Sequence, residues 1–224
     1  MTEPLPAHRA EPAEALRRTG VVAVLRADTP EHLLPAAGTL ADAGLVCLEL
    51  TLTTPGALDA LERLRKDLGD AADLGTGSVR SAEEARRSLD AGAGFLVSPG
   101  FRADVVALAR QAGVPVYPAG LTPTELAAAW DAGATAVKLF PAATVGPAHL
   151  KAFTDPYPDV RVMPSGGIGV DDVGTWIRAG ALAVGLGGAL SGGALSGDAL
   201  AGGDLGALAD RARRALDAVA EARS

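Results

Sequence analysis

Short apolar runs alternate with longer amphipathic segments along almost the whole chain. Buried β-strands are predicted at residues 21–25, 45–50, 73–77, 94–98, 114–118, 135–140, 160–164 and 182–186. Helices are predicted between them, at residues 30–43, 56–68, 81–91, 102–112, 123–132, 147–153 and 170–179. A glycine follows many of these helical runs at the position where a left-handed residue commonly ends a helix, as at Gly44, Gly92, Gly113, Gly133 and Gly180.

This alternation predicts an α/β protein with a parallel sheet. Eight strand–helix units in about 200 residues match the small end of the (β/α)8 TIM barrel. An open, doubly wound sheet is the alternative, and it is disfavoured because no Gly-x-Gly-x-x-Gly motif follows the first strand. We predict a disordered leader over residues 1–10 and a single barrel domain over 11–224. That domain begins with a short helix at 11–19 and ends with an amphipathic helix at 205–222, after a flexible Ala/Gly/Ser-rich connection at 189–204.

Composition narrows the classes of function. The 224 residues carry a net charge of −7, so the basic face on which nucleic-acid binding depends is not expected. There is no run of about 18 apolar residues, which argues against a membrane span. Cys47 is the single cysteine, and it can form neither an internal disulfide nor a cysteine-based metal site. We therefore expect a cytoplasmic enzyme or binding protein.

Lys138 is an unusual residue for its predicted strand. Alternation places it on one face with Ala134, Ala136 and Phe140, among small and apolar neighbours. Desolvation there favours the neutral amine, which is a nucleophile that forms Schiff bases with carbonyl compounds. The simpler alternative is a lysine that extends from the strand end into water.

Glu49 is a carboxylate inside the predicted second strand. The outer face of a barrel strand packs under helices, so Glu49 is expected to point inward, on the same face as Thr51. It either pairs with an inward arginine such as Arg26 or takes part in catalysis. An inward lysine and an inward carboxylate are what imine chemistry needs, because the amine attacks a ketone and the carboxylate moves protons. That chemistry requires no metal and no cofactor.

Anion-binding candidates follow other strands. Glycine-rich turns after strands 7 and 8, at 164–168 and 185–189, are where phosphate sites recur in this fold. Ser78 ends the third strand and offers a hydroxyl. Arg26 ends the first strand, where it either grips a carboxylate or is an ordinary surface arginine.

Seven segments together resemble the 2-keto-3-deoxy-6-phosphogluconate (KDPG) aldolase family of class I aldolases: VVAVLRA (21–27), LELTLTTPGAL (48–58), LGTGSV (74–79), FLVSPGF (95–101), VKLFPA (137–142), PSGGI (164–168) and GLGGAL (185–190). The resemblance implies a (β/α)8 barrel that cleaves a 2-keto-3-deoxy-6-phospho sugar acid to pyruvate and glyceraldehyde 3-phosphate, and it implies a homotrimer. It implies Lys138 as the Schiff-base lysine and Glu49 as the general acid/base. The implied substrate-binding residues are Arg26, Thr51, Thr53, Ser78, Pro99, Phe140, Ser165, Gly166, Gly167, Gly187 and Gly188.

The chain departs from the pattern of this family at a few positions. Thr53 stands where many gluconate-type members have arginine, and Ala189 stands where a serine is expected. Residues 143–152 are closer to the galactonate-type branch. The sugar epimer and the need for phosphate therefore stay open, as does 4-hydroxy-2-oxoglutarate as a substrate. A barrel that only binds phosphate and an isomerase-type barrel are the alternatives from other classes.

Overall fold

A computed structural model of the chain describes residues 9–192 and 204–224. Eight parallel strands alternate with helices in this part of the chain, as the apolar pattern predicts. The strands are β1 Val21–Leu25, β2 Cys47–Thr51, β3 Asp73–Gly77, β4 Leu96–Ser98, β5 Val116–Gly120, β6 Val137–Leu139, β7 Val162–Pro164 and β8 Val184–Leu186. The helices are α1 Glu14–Thr19, α2 Leu33–Asp42, α3 Ala57–Leu68, α4 Ala82–Asp90, α5 Ala103–Gln111, α6 Pro123–Asp131, α7 Gly146–Thr154, α8 Val173–Arg178, α9 Gly188–Ser191 and α10 Asp204–Arg223.

The sheet closes on itself into a barrel. Strands pair in the order β7-β6-β5-β4-β3-β2-β1-β8. The last gap is bridged by a parallel contact between Ser165 and Gly185 and by a hydrogen bond of 2.9 Å from the Leu182 N–H to the Val162 carbonyl. The prediction of a (β/α)8 barrel is therefore confirmed, and the open doubly wound sheet is wrong. Closure brings the carboxyl ends of all eight strands to one mouth.

Two apolar layers follow from the alternation of side chains along each strand. Outward residues such as Val137 and Leu139 join the helices in a continuous outer core. Inward residues fill the barrel, where the rings of Phe95 and Tyr117 meet edge to face with centroids 5.8 Å apart. Gly75 makes room for this filling, since a Cβ there would lie 2.4 Å from the Phe95 ring. The barrel is thus packed below the mouth.

Most strands begin about two residues later than the sequence predicts. Leu45 and Val114 are apolar, but their N–H groups bond back to the preceding helix, at Leu40 and Ala109. These residues belong to the turn between helix and strand and still pack into the outer core, so the apolar run is longer than the strand. The five glycines predicted to end helices all have positive φ, between 68° and 101°.

The helices near the two ends of the chain pack against the rest of the fold. Residues 1–8 of the predicted leader lie outside the described residues. Arg9 donates hydrogen bonds to the carbonyls of Trp130 and Ala134, at 3.1 and 2.7 Å, and α1 inserts Leu16 into the barrel filling. α10 packs on α2 and α8. Of the predicted flexible connection, residues 193–203 lie outside the described part and residues 188–191 form α9.

No helix in 9–192 or 204–224 has the length and apolar character to cross a membrane.

Candidate active site

A cavity of about 370 Å³ opens at the carboxyl ends of the strands. Every strand except β5 contributes to its wall, either through its last residues or through the loop that follows. The lining residues are Val24, Arg26, Glu49, Thr51, Ser78, Pro99, Lys138, Phe140, Ser165, Gly166, Gly167, Gly187, Gly188 and Ser191.

Lys138 reaches this cavity from the middle of β6. Its backbone is held between β5 and β7, opposite Ala119 and Met163, so the side chain starts from a rigid position. The residue is only 7% exposed, and its ammonium nitrogen lies 5.4 Å from the centre of the Phe140 ring. The side chain therefore ends inside the cavity and does not extend into bulk water.

Glu49 reaches the same cavity from β2, on the opposite side of the barrel. Its Oε2 lies 3.9 Å from Lys138 Nζ, and the residue is 1% exposed. Gly77 on the neighbouring strand makes this position available, because a Cβ at residue 77 would lie 1.8 Å from Glu49 Oε1. Oε2 accepts no hydrogen bond from the described residues. This buried carboxylate oxygen therefore borders the cavity with a hydrogen-bond acceptor that the described residues leave unused.

Burial also changes the acidity of Glu49. Loss of solvation raises the pKa of its carboxyl above the ordinary value of 4.5, and the positive charges of Lys138 and Arg26 partly oppose that rise. A carboxyl with a raised pKa exchanges protons more readily near neutral pH than an ordinary one. A lysine amine and a carboxyl group with a raised pKa at this short distance are the two groups that imine chemistry uses.

Arg26 lies at the rim of the cavity and is held through two threonines. Its Nε–H donates to Thr53 Oγ1 over 3.0 Å, and Thr53 donates to Thr51 Oγ1 over 3.1 Å. Thr51 lines the cavity and is 1% exposed, whereas Arg26 and Thr53 are exposed. Arg26 and Lys138 are the two basic side chains among the lining residues.

Ser78 is held in an uncommon backbone conformation at the mouth. Its φ is +61°, and no other non-glycine residue in 9–192 or 204–224 has a positive φ. Such a conformation costs about 1 kcal/mol or more for a residue with a Cβ, and it is found preferentially at functional sites. It places a hydroxyl-bearing residue on the cavity wall directly after Gly77, beside Glu49.

The glycine-rich turns after β7 and β8 form another part of the cavity wall. Gly166 and Gly167 have φ of +94° and +76°, and a Cβ at either would come within 2.9 Å of Phe140 or Ala143. Gly187 and Gly188 follow β8, and a Cβ at Gly188 would meet no atom within 4 Å. Backbone groups there are open to a ligand, as an anion held by N–H groups requires.

All residues that the sequence indicates for the site line the cavity, with the exception of Thr53, which lies one hydrogen bond behind it. Sequence reasoning missed two lining residues. Val24 was detectable, because strand alternation puts it on the inward face with Arg26. Ser191 was hidden in a segment of low complexity, although it lies three residues after Gly188 and so on the same side of α9.

Among described residues, no group of three or more His, Cys, Asp or Glu side chains is arranged to hold a metal ion.

The similarities to known proteins agree with this geometry. The family model for KDPG and KHG aldolase matches residues 13–201. A 2-dehydro-3-deoxy-phosphogluconate aldolase of Treponema pallidum is 37% identical over 165 residues, which cover 73% of this chain and 78% of that protein. A 2-dehydro-3-deoxy-6-phosphogalactonate aldolase of Escherichia coli is 33% identical over 171 residues, which cover 76% and 83%.

A solved structure adds chemistry to the comparison. The KDPG aldolase of Legionella pneumophila, with pyruvate captured as a covalent carbinolamine intermediate, superimposes with a TM-score of 0.80. It is 27% identical and covers 89% of this chain and 95% of its own. A carbinolamine is the adduct of an amine and a ketone, the first species on the route to a Schiff base. With this fold, this cavity and these similarities, the chain belongs to the KDPG and KHG aldolase family, a family of Schiff-base aldolases.

Proposed function

We propose that this chain cleaves a 2-keto-3-deoxy-6-phospho sugar acid to pyruvate and glyceraldehyde 3-phosphate through a Schiff base on Lys138. The observation that carries the proposal is the distance of 3.9 Å between Lys138 Nζ and Glu49 Oε2, in a cavity where both groups are almost fully buried. A passive binding site has no need of this pair, because each charged group loses solvation there.

Lys138 acts first in this proposal. Its neutral amine attacks the C2 carbonyl of the substrate and forms a carbinolamine, which loses water to give a protonated imine. The imine then accepts the electron pair of the C3–C4 bond as that bond breaks, so the pyruvate half becomes an enamine. The C4 hydroxyl loses its proton at the same time and leaves as the aldehyde. Protonation of the enamine at C3 and hydrolysis of the imine release pyruvate and restore the amine.

Glu49 moves the protons in these steps. It protonates the hydroxyl of the carbinolamine, which then leaves as water, removes the proton of the C4 hydroxyl during cleavage and returns a proton to C3. Its raised pKa suits a group that must both donate and accept. Pro99 and Phe140 line the space around the reacting carbons.

The substrate ends are held differently. Arg26, with Thr51 and Ser78, binds the carboxylate of the pyruvate half, because a guanidinium matches the geometry of a carboxylate. Ser165 and the glycine pairs 166–167 and 187–188 bind the phosphate through backbone N–H groups. The cavity of about 370 Å³ suits a ligand of this small size.

A second candidate substrate is 4-hydroxy-2-oxoglutarate, which has the same pyruvate half and no phosphate. The observation in its favour is Ala189, which provides no hydroxyl beside the glycine pair. A panel of phosphorylated and unphosphorylated gluconate and galactonate derivatives, with 4-hydroxy-2-oxoglutarate, decides between them by kcat/KM.

Pyruvate release tests the reaction itself. In an assay coupled to pyruvate reduction, Lys138→Ala is expected to lose all measurable turnover, whereas Lys66→Ala, at an exposed position of α3, retains it. Binding of sugar phosphate without release of pyruvate would favour a binding barrel, and isomerised substrate would favour an isomerase. Either result contradicts the proposal.

We also propose a homotrimer, which the family resemblance implies, and a cytoplasmic location, which the composition indicates. Sedimentation equilibrium measures the assembly directly: a trimer of the 22.4 kDa chain has about three times its mass. A stable monomer with full activity would contradict this prediction and would leave the proposed chemistry untouched.

A further inference from the structure

We propose that Thr53 is a positioning residue that fixes which edge of the Arg26 guanidinium faces the substrate. This inference rests on the proposed function, in which Arg26 binds the carboxylate of a 2-keto acid. Thr53 does not line the cavity. It acts through Arg26.

The hydrogen bonds run in one direction from the cavity rim to the sheet. Arg26 Nε–H donates to Thr53 Oγ1, and the Thr53 hydroxyl donates in turn to Thr51 Oγ1. Thr51 is the last residue of β2, is 1% exposed and pairs with Gly77 of β3. Thr53 thus links a flexible exposed side chain to a rigid part of the barrel.

This arrangement uses a specific part of the guanidinium. Arg presents five N–H donors in a planar fork, and a carboxylate can bind either to its two terminal nitrogens or to Nε and one terminal nitrogen. Thr53 occupies Nε. Both terminal nitrogens have no other partner within residues 9–192 and 204–224, and they remain available for two parallel hydrogen bonds to one carboxylate.

The backbone around Thr53 is held independently of its hydroxyl. The Ala27 N–H donates to Thr54 Oγ1 over 3.0 Å, which ties the loop after β1 to the loop after β2. Thr54 is 2% exposed and carries this structural link. Removal of the Thr53 hydroxyl therefore releases the Arg26 side chain and leaves the two loops joined.

The same relay orients Thr51. A hydroxyl has one proton to donate and two lone pairs to accept. Because Thr51 accepts from Thr53, its own proton is left for a group in the cavity, on which Thr51 borders. Thr53 accordingly orders two substrate-facing donors at once, the guanidinium and the Thr51 hydroxyl.

The test compares Thr53→Val, which keeps the shape and removes the hydroxyl, with Thr53→Ser, which keeps the hydroxyl. The readout is the rate of borohydride trapping as a function of ketone concentration, with pyruvate and with methyl pyruvate, which has no carboxylate charge. For Thr53→Val we expect the half-saturating pyruvate concentration to rise about five- to tenfold, which is the net contribution of one ordinary hydrogen bond. The saturating rate and the methyl pyruvate curve stay within about twofold of the unaltered protein.

Three controls make the result specific. Thr53→Ser is expected to restore the pyruvate curve, and Thr124→Val, at an exposed position of α6, to leave it unchanged. In an Arg26→Met background, Thr53→Val should add no further shift, because the two residues act as one unit. A Thr53→Val protein with the unaltered pyruvate curve, or with equal shifts for both ketones, overturns this inference alone. Absence of any adduct in the unaltered protein overturns the proposed function and this inference with it.

Discussion

Replacement of Gly77 by alanine places one methyl group where the catalytic carboxylate of the proposed mechanism lies. The new Cβ would be 1.8 Å from Glu49 Oε1, 2.4 Å from its carboxyl carbon and 2.6 Å from its Cγ. Carbon and oxygen atoms that are not bonded approach each other to about 3.3 Å, so the carboxylate has to move by about 1.5 Å. The movement carries Glu49 out of its position beside Lys138 Nζ.

The size of the effect follows from this displacement. A misplacement of about 1 Å in a catalytic geometry can reduce turnover about 100-fold, and a general acid/base group contributes about 100- to 10,000-fold. We expect Gly77→Ala to lower kcat by about 100-fold or more. Overpacking of the cavity wall should cost about 1–3 kcal/mol in the free energy of unfolding, which leaves the protein folded at 25 °C.

The assay is pyruvate release at saturating substrate, together with thermal unfolding of the same samples. Gly38→Ala is the matched control, because a Cβ at Gly38 in α2 meets no atom within 4 Å and alanine is the better helix former. That variant should keep its kcat and gain about 0.5–1 kcal/mol in stability. A Gly77→Ala protein with normal kcat would refute the assignment of Glu49, whatever its stability.

Three further predictions concern pH, packing and thiol reactivity. Because burial raises the pKa of Glu49, the acidic limb of kcat, measured at saturating substrate where Lys138 is held as the imine, should lie above the ordinary carboxyl value of 4.5, with activity lost as the pH falls through it; a limb at or below 4.5 contradicts the argument. Gly75→Ala forces a Cβ to within 2.4 Å of the Phe95 ring and should lower the free energy of unfolding, measured in urea, by about 1–3 kcal/mol. An unchanged urea midpoint would contradict this prediction and would mean that the side chains inside the barrel rearrange without cost. Cys47 is 0% exposed and burial raises the pKa of its thiol, so iodoacetamide should label it in urea and not in the native protein; rapid native labelling would show that the barrel interior opens.

Much of the barrel could be predicted from the sequence because its signals are local. Apolar runs, amphipathic segments and glycines after helices depend on residues close together in the chain. The first residues of the strands could not be predicted from the same pattern. Leu45 and Val114 are as apolar as strand residues, but their N–H groups bond back to the preceding helix. Apolar character indicates that a residue is buried, and it does not indicate whether the residue pairs with another strand.

The site was accessible to sequence reasoning where strand geometry decides it. Alternation predicts that Glu49 and Lys138 point inward, and the barrel then brings both to one mouth. Thr53 shows where this reasoning stops. Its exposed loop has no period, and only the folded chain reveals that its hydroxyl accepts from Arg26 instead of facing the cavity. Ser191 was missed for the same reason, since a run of Ala, Gly and Ser carries little pattern.

The proposed Schiff base can be observed most directly by reduction in place. The protein is incubated with pyruvate and borohydride, digested and analysed by mass spectrometry. We expect one new modification on the peptide that contains Lys138, with the mass of pyruvate joined through a reduced imine, and none on Lys66 or Lys151. A protein that turns over substrate while Lys138 remains unmodified, or that carries the adduct on another lysine, would contradict the account.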